Sequence, residues 1–156
     1  MGLRMYIQYL TTHVINLPKR IIVGSGVRKE ISSHFKDLGL KDPILIVSGK
    51  GPTRFIAREI MDYLRTSRYE VLHAEVDIAS IEASSKIQEQ IHECKVGTIV
   101  GLGGGKAIDV AKYAAYKAGI DFVSMPTSAS HDGLVSPFAS LKGMNTCLLY
   151  TSPSPR

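Results

Sequence analysis

The chain contains no tryptophan, four phenylalanines and two cysteines in 156 residues. Cys94 and Cys147 lie far apart and form no CxxC pair, so neither a zinc knuckle nor a disulfide framework is suggested. A reducing compartment fits that cysteine usage. Long apolar runs are missing as well. Ile44 to Val47 and Thr98 to Leu102 are strand-length only, far short of the roughly 20 residues needed to span a bilayer. The opening Met1-Gly2-Leu3-Arg4-Met5-Tyr6 lacks the hydrophobic stretch of a signal peptide. It also places Tyr6 where a myristoylation signal requires Ser or Thr. A cytoplasmic protein with no transmembrane segment is the expectation. The net charge is +5, but basic residues are scattered among acidic ones, as in Lys29-Glu30, Lys36-Asp37 and Arg58-Glu59. No Lys/Arg block with interleaved aromatics appears, which argues against a nucleic-acid partner.

What is present is alternation. Apolar runs and amphipathic segments follow one another to about Asn145, the pattern of βα units on a parallel sheet. Arg20 to Gly24 reads as a strand, and Gly24-Ser25-Gly26 turns it into a helix over Val27 to Leu38 that Gly39 closes. Pro43 to Ser48 reads as a buried strand, Pro52 to Arg65 as a helix and Glu70 to Val76 as a third strand. Ser80 is the expected N-cap of the next helix, with Glu82 in its first turn. Thr98 to Leu102 then runs into Gly103-Gly104-Gly105-Lys106 and a helix to Ala118, ended by Gly119. On it Val110, Ala111, Ala114, Ala115 and Ala118 form a stripe of mostly small side chains, suited to close packing on a sheet. Phe122 to Met125 is a fifth strand, followed to about Met144 by a polar stretch read as loop throughout. The last ten residues, Cys147 to Arg156, follow no sheet or helix period and end in a Ser-Pro repeat; the string resembles translated adapter sequence or a disordered tail.

Three glycines and a lysine between strand and helix have a direct chemical reading. Glycine lets the backbone approach a pyrophosphate without a Cβ in the way. The free N–H groups and dipole of the helix start then hold the anion. The plainer alternative is a glycine turn that merely packs helix on strand. Related motifs fail on particular residues. A P-loop is excluded because position 100 is Val and Ala107 follows Lys106; GxGxxG is excluded because Lys106 replaces its last glycine. His92-Glu93 begins a zinc-protease motif, but position 96 is Val instead of the second His. Asp109, three residues after Lys106, projects from the same face of the first turns. It is either half of a surface ion pair or a carboxylate that organises the turn or a cofactor. Beyond the fifth strand, Pro126-Thr127-Ser128-Ala129-Ser130-His131-Asp132-Gly133 concentrates hydroxyls, an imidazole and a carboxylate where open α/β sheets bind ligands. Asp132-Gly133 by itself is also an ordinary turn signal.

Together, strand–Gly-Gly-Gly-Lys-x-x-Asp–small-residue helix and Pro-Thr-x-x-Ser resemble the iron- and zinc-dependent alcohol dehydrogenase superfamily, which includes glycerol dehydrogenases and dehydroquinate synthases. Within it, Ser130-His131-Asp132-Gly133 and Ser136-Pro137-Phe138-Ala139-Ser140 are similar to the sn-glycerol-1-phosphate dehydrogenases, as are Leu17-Pro18 and Ile22-Val23-Gly24-Ser25-Gly26-Val27. The resemblance implies an α/β fold: a Rossmann-like parallel sheet with flanking helices, the N-terminal domain of a two-domain enzyme whose helical domain is missing. It implies an N-terminal extension over 1–15, an NAD(P)-binding domain over 16–144 and a tail over 145–156. It further implies that Gly103, Gly104, Gly105 and Lys106, with Asp109, hold the pyrophosphate of NAD or NADP. Thr127, Ser128, Ala129, Ser130 and Ser136 would line the nicotinamide side, and Asp132 would contact substrate. Zinc would sit on an Asp and two His of the absent domain, so no metal ligand and no catalytic residue is assigned here. The implied full-length reaction is reduction of dihydroxyacetone phosphate to sn-glycerol 1-phosphate, by an enzyme for which a homo-oligomer is compatible. A glycerol dehydrogenase, a dehydroquinate-synthase-like cyclase and a non-catalytic nucleotide-binding module are the alternatives.

Overall fold

A computed structural model describes residues 18–128, 138–143 and 148–149. Strands β1 (Ile44–Gly49), β2 (Val71–Val76), β3 (Thr98–Gly103) and β4 (Asp121–Pro126) form one parallel sheet in the order β2-β1-β3-β4. Helices α1 (Ile31–Leu38), α2 (Thr53–Thr66), α3 (Ile81–Glu93) and α4 (Gly105–Ala118) lie between them in the chain. Why the sheet is buried on both faces is visible in β1. Ile44 and Ile46 join the cluster with Phe35, Ile60 and Leu64 from α1 and α2, while Leu45 and Val47 join the cluster with Ile87, Val110 and Ala114 from α3 and α4. Alternate side chains therefore feed opposite layers, and a continuous apolar run is what such a strand requires. The expected Rossmann-like α/β architecture is the observed one.

Buried polar groups in the sheet are paired. Ser48, wholly buried in β1, meets His73 Nε2 on β2 at 2.9 Å. Burial holds the His73 pKa below the usual imidazole value, favouring the neutral ring that suits this contact. Thr98 donates its hydroxyl to Lys41 O at 2.8 Å.

The structure departs from the sequence reading at both ends. Arg20 to Gly24 is not a strand: the segment is exposed, with Ile21 50% and Val23 85% accessible, and no described strand pairs with it. β-branched residues favour a pleated, half-buried surface, and among the described residues no strand offers one. The helix expected from Val27 begins as a 3-10 turn over Val27–Glu30 and becomes α-helical only at Ile31. Ala118, assigned to the packed stripe of α4, is exposed, while Val110, Ala111, Ala114 and Ala115 are buried. The polar stretch after β4 is not loop throughout. Phe138–Ala139 (β5) pairs antiparallel with Leu148–Leu149 (β6), and Lys142 forms a parallel bridge with Ser80.

Candidate functional site

The sheet order places the site. From β1 the chain moves outward to β2, then crosses back to β3 on the other side of β1. The carboxyl ends of β1 and β3 thus flank a topological switch point, where open α/β sheets form a ligand crevice. β1 ends at Gly49 and β3 at Gly103, and Thr53 bridges them. The Thr53 hydroxyl donates to Gly49 O at 2.8 Å, and its Cγ2 lies 3.0 Å from where a Cβ on Gly103 would stand. Thr53 was overlooked in the sequence; its signal is its place directly after Gly49-Lys50-Gly51-Pro52, a second glycine turn following a buried strand.

Each glycine of the β3–α4 turn answers a different demand. At Gly101 a Cβ would meet Ile108 Cα at 3.0 Å, Ala111 Cβ at 3.1 Å and Phe122 Cε2 at 3.2 Å, so this glycine lets α4 close on the sheet. Gly103 has φ +121°, a backbone state that L side chains rarely adopt. Gly104 has an ordinary extended conformation, φ −87° and ψ 178°, and a Cβ there would meet nothing within 4 Å. Gly104 is the N-cap at the start of α4.

That start has no side-chain cap and no acidic residue in its first turn. The first N–H groups of a helix have no intrahelical acceptor and carry the positive end of its dipole. Lys106, exposed in this same turn, adds positive charge where a helix by itself favours negative. The lysine charge and the positive end of the dipole repel each other, and an anion placed at the open donors answers both. A phosphate or pyrophosphate fits that arrangement.

The remaining expected site residues are distributed as follows. Gly105 begins α4 and is half-buried. Thr127 and Ser128 are exposed just past β4, and the Thr127 N–H donates to Gly103 O at 3.1 Å, which brings this end beside the glycine turn. Asp109 is half-buried, and its Oδ2 accepts the Ser140 N–H at 3.2 Å. Ala129, Ser130, Asp132 and Ser136 lie outside the described residues. Among the described residues no three His, Cys, Asp or Glu side chains are grouped to hold a metal ion, and no helix is long and apolar enough to cross a membrane.

The family model for iron-containing alcohol dehydrogenases matches residues 22–153, most of the sequence. The chain belongs to the iron-containing alcohol dehydrogenase family. Among relatives, a "Glycerol-1-phosphate dehydrogenase [NAD(P)+]" of Saccharolobus islandicus is 44% identical over 133 residues, covering 85% of this chain and 37% of that protein. One of the same description from Sulfurisphaera tokodaii is 43% identical over 135 residues, covering 86% and 38%. The chain therefore spans little more than a third of the length of these relatives. An iron-containing alcohol dehydrogenase of Thermococcus thioreducens shares the fold at TM-score 0.75 and 19% identity, over 91% of this chain and 45% of that structure. A probable glycerol dehydrogenase of Sinorhizobium meliloti matches at TM-score 0.72 and 19% identity, over 88% and 37%. In this family member the glycine turn thus sits at the switch point of the sheet, with its helix start uncapped.

Proposed function

We propose that this chain is the cofactor-binding part of an oxidoreductase that reduces dihydroxyacetone phosphate to sn-glycerol 1-phosphate with NADH or NADPH. The observation that carries the reading is the open, uncapped start of α4 at Gly104, at the switch point of the sheet. Support for the substrate comes from the relatives' description and from the Ser130-to-Ser140 pattern. The product would supply the glycerophosphate backbone of archaeal-type membrane lipids, and the reaction would run in the cytoplasm, where reduced nicotinamide cofactors are available.

On this reading Gly103, Gly104, Gly105 and Lys106 bind the pyrophosphate through the α4 N–H groups and the lysine ammonium. Thr127, Ser128, Ala129, Ser130 and Ser136 line the nicotinamide side, and Asp132 contacts the phosphorylated substrate. The nicotinamide group supplies the hydride when bound. The described residues do not fit a metal site, so no step is assigned to zinc or iron in this chain. A metal-dependent part of the reaction belongs to the length of the relatives that this chain does not span.

The test has two arms. A fluorescence titration of this chain should show saturable NADPH or NADH binding, and Gly104→Val should weaken it at least tenfold with the circular dichroism spectrum unchanged. With zinc, dihydroxyacetone phosphate and NADPH, the same chain should show no turnover above a blank. A folded Gly104→Val protein with parental affinity would sink the pyrophosphate assignment. Turnover by this chain would place the metal site within it. Among longer versions, oxidation of glycerol in preference to glycerol 1-phosphate would instead favour a glycerol dehydrogenase.

A further inference from the structure

Thr127 and Ser140 mark two points on the polar stretch after β4, and both are tied to one short piece of chain. At the outgoing end, the Thr127 N–H donates to Gly103 O at 3.1 Å. At the returning end, the Ser140 N–H donates to Asp109 Oδ2 at 3.2 Å. Gly103 closes β3, and Asp109 stands at the start of the second turn of α4.

The returning segment is built in, not draped. Ala139 is 1% exposed and Leu141 6%, and both join the apolar cluster with α3 and α4. The Lys142 N–H donates to Ala79 O at 2.8 Å, and the Ile81 N–H donates to Lys142 O at 3.2 Å. Ser140, exposed between two inward residues, directs its N–H to Asp109. Lys112, three residues further on α4 and largely buried, has its pKa lowered by that burial, and the nearby Asp109 carboxylate opposes the shift. A carboxylate acceptor beside an ammonium makes a strong, directional partner for a backbone N–H.

We infer that Asp109 is a positioning residue: it pins the return of the segment whose departure is fixed on the glycine turn, so that the short run from the end of β3 into the second turn of α4 sets both. This role is distinct from contact with the cofactor, although its consequence for affinity rests on the cofactor reading above.

Amide exchange on this chain reads the role directly. Asp109→Ala should speed exchange at the Ser140 N–H at least tenfold and leave Ile99 and Val100 in β3 protected. Asp109→Asn, which keeps a side-chain oxygen acceptor, should restore most of that protection. Ser140→Pro removes the donor and keeps Asp109; it should speed exchange at Lys142 and weaken NADPH binding as much as Asp109→Ala does, with no further loss in the double variant. Unchanged Ser140 exchange in Asp109→Ala would overturn the inference. So would additive losses of affinity in the double variant, since Asp109 would then act on the cofactor by another route. Should Asp109→Ala also lose protection at Ile99 and Val100, Ser140→Pro decides alone: faster exchange at Lys142 supports the pin, and no change overturns it. If the parent chain binds no NADPH, the cofactor reading fails while the exchange comparison still decides the positioning.

Discussion

Helices α3 and α4 lie in the same layer, follow parallel strands of the same sheet and pack on each other's apolar residues, yet they begin in opposite ways. At α3 the Ser80 side chain accepts the Ala83 N–H at 3.1 Å, and Glu82 occupies the first turn. Its donors and its dipole are answered from within the chain. At α4 neither device is present, and Lys106 stands where an acidic residue would be stabilising. A serine cap is worth about 1 kcal/mol over alanine and a few tenths over glycine, so the Gly104 cap of α4 forgoes a small but readily available stabilisation. Local rules are broken where function makes another demand. On the proposed reading, the start of α3 serves the fold and the start of α4 serves a ligand.

The comparison breaks first at packing. Gly101→Val would place a branched side chain 3.0 Å from the Ile108 backbone, in an interface that cannot open without moving α4. Overpacking of this kind should cost about 3 kcal/mol, read as a lower midpoint in urea unfolding. A midpoint within error of the parent would show that α4 is free to shift, and its start would then not be a fixed cradle. Gly103→Ala should come next. Its φ of +121° and the Thr53 methyl at 3.0 Å oppose a side chain together, for about 2 kcal/mol. The same unfolding experiment checks it, and no loss would mean the turn relaxes to another conformation.

How much of this was legible beforehand depended on distance along the chain. The β3–α4 unit reads from sequence because each signal is local: an apolar strand, a glycine turn, small residues at helical spacing and Gly119 as left-handed stop. Gly119 indeed has φ +66° directly after Ala118. The Ser80 cap reads for the same reason. The Asp109–Ser140 bond spans 31 residues, and no helical or strand period announces it. The bridge of Lys142 to Ser80 is longer-range still, so a Ser- and Pro-rich stretch reads as loop although its Ala139 and Leu141 are core. Arg20 to Gly24 failed in the opposite direction: among the described residues no strand pairs with it, and strand propensity by itself says nothing about pairing. Within the site, the glycine turn was legible; the different duties of Gly101, Gly103 and Gly104 needed φ angles and neighbours.

Making α4 resemble α3 sharpens the comparison. Gly104 already has the extended backbone of an N-cap, and the space around it accepts a side chain. In Gly104→Asp, the carboxylate should accept the Lys106 or Ala107 N–H and oppose the dipole. Stability should rise by a few tenths of a kcal/mol, since glycine is itself a tolerable cap. NADPH affinity should fall at least tenfold, a loss of about 1.4 kcal/mol or more, because the new carboxylate occupies the donors and repels the phosphates. A variant that gains stability and keeps its affinity would separate the helix start from the cofactor site.

The converse exchange makes α3 resemble α4 and should have the smallest effect. Ser80→Ala removes the acceptor for the Ala83 N–H and should cost about 1 kcal/mol, whereas Ser80→Gly should cost only a few tenths. The difference arises because glycine leaves the end of the helix open to water, which can take over the vacated donor. Ser80 also lies in the parallel bridge with Lys142, but that contact uses backbone groups and survives both substitutions. Thermal or urea unfolding of the two variants beside the parent would measure the costs, and NADPH titration should show no change in either. Cap loss alone should not create an anion site at α3, because Glu82 remains in its first turn and opposes any phosphate. An NADPH affinity that moves with Ser80→Gly would mean that α3 takes part in cofactor binding, and the functional division between the two helix starts would fail.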